Sequence, residues 1–270
     1  MRDYSLAYLT VNQSSVAEAF AIAAQWGYGH VGLRLLPNGP GAPHQAFIED
    51  PVARREALAA RRDLPVAVFD LEIVRIGAEF DPRRYEPLFE AGAALGARAV
   101  LVAGDDDNPA RLASHFAALC DCMRPYGLTA DLEFMPWTAV RHAREALAIV
   151  NAAGTPANAG ILVDALHVGR SQTRLEDIAS LPRALLHYAQ WCDAEPGTHF
   201  STEALIHTAR EERLPPGEGG IDLTGLARAL PADLPISVEV PHMRRQREMG
   251  DAAWARLCLE ATRRQLGEGA

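Results

Sequence analysis

The sequence predicts one α/β domain over residues 1–270, a closed eightfold barrel of parallel strands wrapped by helices, on three observations. Eight short apolar runs, rich in branched residues, alternate with longer amphipathic stretches, and strict strand–helix alternation implies a parallel sheet covered by helices. Eight such repeats in 270 residues fit a closed barrel better than an open doubly wound sheet. The first run is followed by TVNQSS and not by G-x-G-x-x-G, so the usual signal of a dinucleotide-binding sheet is missing.

The strands are expected over LAYLTV (6–11), HVGLRLL (30–36), PVAVFDLEIVRI (65–76), RAVLVAG (98–104), LTADLEFM (128–135), GILVDALHV (160–168), LLHYAQWCDA (185–194) and PISVEVP (235–241). Between them, SVAEAFAIAAQWG, DPVARREALAARRD, PRRYEPLFEAGAALG, ARLASHFAALCDCMRPYG and TAVRHAREALAIVNAAG have helical spacing. Several open on Ser, Thr or Asp and close on Gly, the residues that cap helix starts and stops. DAAWARLCLEATRRQL supplies the last helix. No linker divides the chain, and residues 195–220 form the one long irregular stretch, long enough to be an active-site loop.

Composition narrows the function classes. With 26 Lys+Arg against 35 Asp+Glu, the net charge of -9 disfavours nucleic acid and anionic membranes, which reward clustered positive charge. The start MRDYSLAYLT lacks the basic segment and apolar core of a signal peptide, and no run approaches the roughly 18 apolar residues of a membrane span. A soluble cytoplasmic protein with a small-molecule ligand is expected, with room for a homo-oligomer. Cys120, Cys122, Cys192 and Cys258 make neither a disulfide framework nor a completed zinc site, and are expected to be free thiols.

In an eightfold barrel, chemistry gathers at the C-terminal strand ends. Four successive strands end in polar residues: Glu133 on the fifth, Asp164 and then His167 on the sixth, Gln190 and Asp193 on the seventh, and Glu239 on the eighth. Unpaired carboxylates at buried strand ends must be partnered or protonated. A shared divalent cation, Mn²⁺ or Mg²⁺, would satisfy several of them with the oxygen ligands it accepts. On this reading Asp164 is a ligand, and His167, a step into the following loop, reaches toward whatever the metal holds.

At these residues the sequence resembles the sugar phosphate isomerase/epimerase family, the xylose-isomerase-like TIM barrels that include ketose 3-epimerases, inosose dehydratase and, more remotely, endonuclease IV. The resemblance covers nearly the whole chain and is carried by LEFMP around Glu133, VDALH around Asp164 and His167, RLPPGEG from 213 to 219, and SVEVP around Glu239. It implies a single (β/α)8 barrel and a divalent metal held by Glu133, Asp164, Gln190 and Glu239. The two glutamates would double as acid/base groups on opposite faces of a carbohydrate or polyol substrate, with His167 and Arg213 holding substrate oxygens. The chain departs from ketose epimerases at Gln190, where they carry a histidine ligand; His187 is the alternative, three residues earlier.

A metal chelating neighbouring oxygens of a hydroxy-ketone acidifies the carbon-bound proton between them and stabilises the enediolate. A glutamate on each face then suffices for epimerisation, and one could serve both steps of an isomerisation. With a leaving hydroxyl beta to the enediolate, the same groups give dehydration of a keto-inositol, keto-glycoside or dehydroshikimate-like acid. Cleavage of damaged DNA and noncatalytic sugar binding are the remaining alternatives. Arg213 is expected on a mobile loop stiffened by Pro215 and Pro216, with Glu218 as a loop anchor. Trp137 and Trp191 are candidates to stack on a sugar face, Glu72 to line the mouth, and the Arg244, Arg245 and Arg247 run to hold a phosphate.

Overall fold

The structure, a computed structural model, describes residues 2–268, so the expected span of 1–270 runs past it at both ends. Eight parallel strands pair in chain order and the last returns to the first, closing the barrel. They are β1 (Tyr4–Leu6), β2 (His30–Leu33), β3 (Ala67–Ile76), β4 (Ala99–Gly104), β5 (Thr129–Glu133), β6 (Ala159–Asp164), β7 (Ala189–Trp191) and β8 (Ile236–Val238).

Helix boundaries follow local chemistry. Ser15 and Glu18 form a reciprocal capping box before the helix Val16–Trp26, which Gly27 ends in the left-handed conformation that a side chain resists. Asn108 accepts from Arg111 N ahead of the helix Pro109–Met123, whose proline fits the first turn because its missing N–H would be unpaired there. That helix buries Leu112, Phe116, Leu119 and Met123, spaced three or four apart, against the outer wall of the barrel. Burying each such side chain contributes roughly 1.5–3 kcal/mol, so Phe116→Ala removes one of the larger single contributions to this layer.

Most strands are shorter than expected: β2 stops at Leu33 and β5 at Glu133, and four others differ for reasons visible in their contacts. β1 lies at Tyr4–Leu6, and Tyr8–Val11 is a 3-10 turn, because Thr10 Oγ1 donates to Val238 O and accepts from Val240 N, tying this segment across the end of β8. β6 stops at Asp164, whose carboxylate caps a short helix, Ala165–Arg170, by accepting from Leu166 N at 2.7 Å. β7 shrinks to Ala189–Trp191, since Arg183–Leu185 folds as a 3-10 turn. β8 ends at Val238, one residue before Glu239. The stretch 195–220 is not irregular throughout: Ser201 caps a helix, Thr202–Glu211, that lies near the barrel mouth.

Two apolar regions result. The larger fills the space between sheet and helices, and a smaller one inside the barrel consists of Phe69, Ala99, Leu101, Leu162 and Tyr188. Polar groups share the interior. Asp131 on β5 meets His187 Nδ1 at 2.7 Å, and Gly160 on β6 is what lets them approach, because a Cβ there would stand 2.1 Å from Asp131 Oδ1. Asp70 is fully buried on β3 and neither of its carboxyl oxygens has a hydrogen-bond partner among the described residues. All four cysteines are free, and no described helix is long and apolar enough to cross a membrane.

Candidate active site

At the C-terminal mouth, Glu133, Trp137, His167, Arg213 and Glu239 line one pocket. Glu133 is the last residue of β5, and Glu239 follows β8 directly. Asp164 ends β6 beneath the pocket, fully buried, and its cap on the next helix brings His167 one turn further round. Arg213 arrives from the chain after Thr202–Glu211, where its backbone N–H donates to Pro241 O and its Nε–H to Ala209 O.

Arg213 is thus not on a mobile loop: it is 3% exposed and its guanidinium is shared between two acids. Nη1 lies 2.6 Å from Asp164 Oδ2 and Nη2 lies 2.9 Å from Glu239 Oε2. The chain beyond it is fixed by Asp193, whose carboxylate accepts from Ala194, Gly217, Gly219 and Ile221 N–H groups. Gly219 suits that approach, since a Cβ would stand 2.3 Å from Ala194 O. Glu218 pairs with Arg245 at 2.7 Å, which makes it an anchor of the same turn.

Burial sets the titration of the site. Glu133 is pushed well above the usual carboxylate range by burial first and then by the charges of Asp164 and Glu239. Glu239 is raised by burial against the opposing field of Arg213. Asp164 goes the other way: burial opposes its charge, but Arg213 and His167 hold it below its ordinary value. Burial pushes His167 down to about 4, outweighing Asp164. Its Nε2, 3.4 Å from Glu133 Oε1 and 3.7 Å from Asp164 Oδ2, therefore belongs to a neutral imidazole at neutral pH, and these contacts are not ion pairs. Trp137 stands edge-on to that ring at 5.0 Å, which fixes its plane.

The other expected residues fall as follows. Gln190 lies on β7 in register with Asp164 and Ser237, fully buried, and neither its amide oxygen nor its nitrogen has a partner among the described residues. His187 is spent on Asp131 at the start of the barrel and does not reach the mouth group. Trp191 packs outward and donates to Gln265, so it is core and not a sugar platform. Arg244 and Arg245 are engaged by Glu248 and Glu218. Glu72 does line the pocket, paired at 2.9 Å with Arg34. Arg34 and Arg210 also line it and were not expected from the sequence; Arg34 follows β2 as Glu239 follows β8, so the strand-end rule applied to the second strand finds it.

Glu133, Asp164 and His167 each offer a ligand atom within 4.8 Å of the others, all buried. Three buried acids, Glu133, Asp164 and Glu239, share one guanidinium, which touches two of them, and a divalent cation would supply the positive charge that lets the two raised glutamates ionise. The unpartnered amide of Gln190, beside Asp164, adds a neutral oxygen donor. The residues present therefore fit a divalent metal.

A family model for the xylose isomerase-like TIM barrel matches residues 20–262. None of the curated proteins matches the chain in sequence. Among solved structures, the IOLI protein with a zinc atom superposes with a TM-score of 0.79 at 16% identity, covering 98% of each chain. The probable 3-DHS dehydratase AsbF of Bacillus anthracis gives 0.73 at 12% identity over 96% of this chain and 98% of its own. D-allulose 3-epimerase of Methylomonas sp. gives 0.71 at 16% identity over 98% of this chain and 97% of its own. At such identities the likeness is one of fold.

Proposed function

From the premise that the chain belongs to the xylose isomerase-like TIM barrel family, we propose that it is a divalent-metal-dependent isomerase or epimerase of a small sugar, sugar phosphate or polyol. The observation that carries this reading is the pair of buried glutamates, Glu133 and Glu239, lining one pocket with their carboxyls raised far above the ordinary range. A carboxyl tuned upward takes and returns a proton near neutral pH more readily than an exposed one.

Glu133, Asp164, Gln190 and Glu239 would hold the metal, with Mn²⁺ or Mg²⁺ suited to a donor set dominated by oxygen. When bound, it would withdraw electron density from two adjacent substrate oxygens and acidify the carbon-bound proton between them. Glu133 then takes that proton on one face of the substrate and Glu239 delivers one to the other. His167, a neutral imidazole locked by Trp137, positions a substrate oxygen. Arg213 keeps Asp164 ionised and orients both Asp164 and Glu239, and it lines the same pocket as the two glutamates.

Dehydration is the second reading, because the same proton abstraction expels a hydroxyl beta to the carbonyl, and the fold is shared with a probable dehydratase. One experiment separates the outcomes. Protein purified without chelators is assayed for metal, then incubated with ketoses and keto-acids in D₂O. Epimerisation or isomerisation adds deuterium without loss of water, and dehydration loses water. Binding without any exchange at carbon would leave a sugar-binding barrel and refute both enzyme readings.

A further inference from the structure

Besides Arg213, the pocket is lined by three arginines that converge from different elements: Arg34 after β2, Arg75 on β3 and Arg210 on the helix Thr202–Glu211. Two have structural partners. Arg75 makes a two-point contact with Asp105 at 2.7 and 2.8 Å, and Arg34 Nη2 donates to Glu72 at 2.9 Å. Arg34 Nε, however, is buried with no hydrogen-bond partner among the described residues. Arg210 has no hydrogen bond or ion pair among the described residues, and after partial burial the fields of Arg75 and Arg34 lower its guanidinium from its ordinary value.

Arg34 is fixed in place by its neighbours. Its backbone is clamped by Gln45 from both sides, Arg34 N–H to Oε1 at 3.3 Å and Gln45 N–H to Arg34 O at 2.7 Å, and its guanidinium stacks on Tyr8 at 4.6 Å. Bringing three guanidiniums together raises mutual repulsion, which an anion between them would relieve. A polyol chain would call for both donors and acceptors, whereas guanidinium groups supply donors only. Their planar forks match the paired oxygens of a carboxylate or phosphate.

Resting on the reading above, we propose that the substrate carries a carboxylate or phosphate, and that the unpaired Arg210, with Arg34 and Arg75 beside it, forms the subsite that holds it at the pocket rim. The reacting carbons then extend inward toward Glu133 and Glu239.

The test measures binding without turnover. D-ribonate, D-ribose 5-phosphate and ribitol are titrated calorimetrically into the full chain, with and without Mn²⁺, at low ionic strength. At least one anion should bind roughly tenfold tighter than ribitol, the scale of one charge-assisted hydrogen bond, and added salt should erode that advantage. Which anion gains tells carboxylate from phosphate. Arg210→Gln, an exposed change whose fold is checked by thermal unfolding, should bring the favoured anion to within about threefold of ribitol and leave ribitol unchanged. Equal binding of all three ligands, no binding of either anion, or an anion advantage that survives Arg210→Gln would overturn the proposal. Failure of deuterium exchange would count against the enzyme reading and leave this result intact.

Discussion

Arg213 Nη1 stands 2.6 Å from Asp164 Oδ2, with both side chains shut away from solvent. Each of these groups would be costly to bury alone, so the pair is a condition for the mouth of the barrel to close around its acids. It also means that Asp164 serves the fold and the proposed metal at once: Oδ1 caps the following helix, and Oδ2 meets the guanidinium.

Asp164→Ala is therefore expected to lose stability as well as metal. Leaving Arg213 buried without this partner should cost about 3–5 kcal/mol, read by urea unfolding, and bound metal should fall far below one per chain in elemental analysis. A variant that keeps stoichiometric metal would remove Asp164 from the ligand set. Adding Arg213→Met should recover part of the lost stability, because the stranded charge goes with it.

His167→Ala tests a sharper division of labour. The imidazole lies 3.4 Å from Glu133 and within ligand distance of the same acids, so proximity alone does not say whether it serves metal or substrate. The role proposed here predicts that the variant keeps its metal and loses turnover by at least tenfold. Parallel loss of metal would make His167 a ligand, in place of Gln190 or beside it.

The barrel was legible because it rests on repetition: apolar runs recur eight times, caps and glycine stops mark several of the helices between them, and local chemistry suffices to read them. Glu133, Asp164, His167 and Glu239 were legible for the same reason, as polar residues at the ends of apolar runs. What the sequence concealed depends on contacts distant along the chain. Thr10 bends the first strand by bonding to the end of the eighth, 228 residues away. Arg213, in a proline- and glycine-rich stretch that reads as a surface loop, is buried only because Asp164 and Glu239 await it. Asp193 looked like one more strand-end acid, yet its oxygens are spent on four backbone N–H groups of the turn that follows.

Asp70 gives a pH dependence opposite in sign to ordinary acid unfolding. Burial, then the charges of Glu72 and Asp131, raise its carboxyl well above the ordinary value of 3.8, so the folded chain holds a proton that the unfolded chain releases. Its contribution to stability is then complete below about pH 3.8 and is lost as pH rises through the folded value. Asp70→Asn keeps the shape without the titration. The variant should match the parent near pH 4 and exceed it increasingly at pH 7 and 9 in urea unfolding. Equal destabilisation at every pH would show that Asp70 is ionised in the barrel and held by a cation.

Glu133 and Glu239 bear the most direct test of the chemistry. They come from β5 and the end of β8, on two sides of the pocket floor, and Arg213 touches only Glu239. That asymmetry makes the two carboxyls unequal: Glu239 is held by a guanidinium, while Glu133 faces the neutral His167. Replacing either by Gln keeps an oxygen for the metal and removes the base, so interconversion of epimers should fall by roughly 10²–10⁴-fold while bound metal falls much less. Each variant should still exchange deuterium into the epimer whose proton faces the surviving glutamate, and the two variants should label opposite epimers. Glu239→Gln should in addition lower thermal stability, because it strips one of the two carboxylates from the buried guanidinium. Near-normal interconversion in either metal-bound variant would show that two-base exchange is not how this barrel works. Identical labelling by both would mean that a third group exchanges the proton, whereas labelling lost in one variant alone would mean that a single glutamate serves both steps, the pattern of an isomerase.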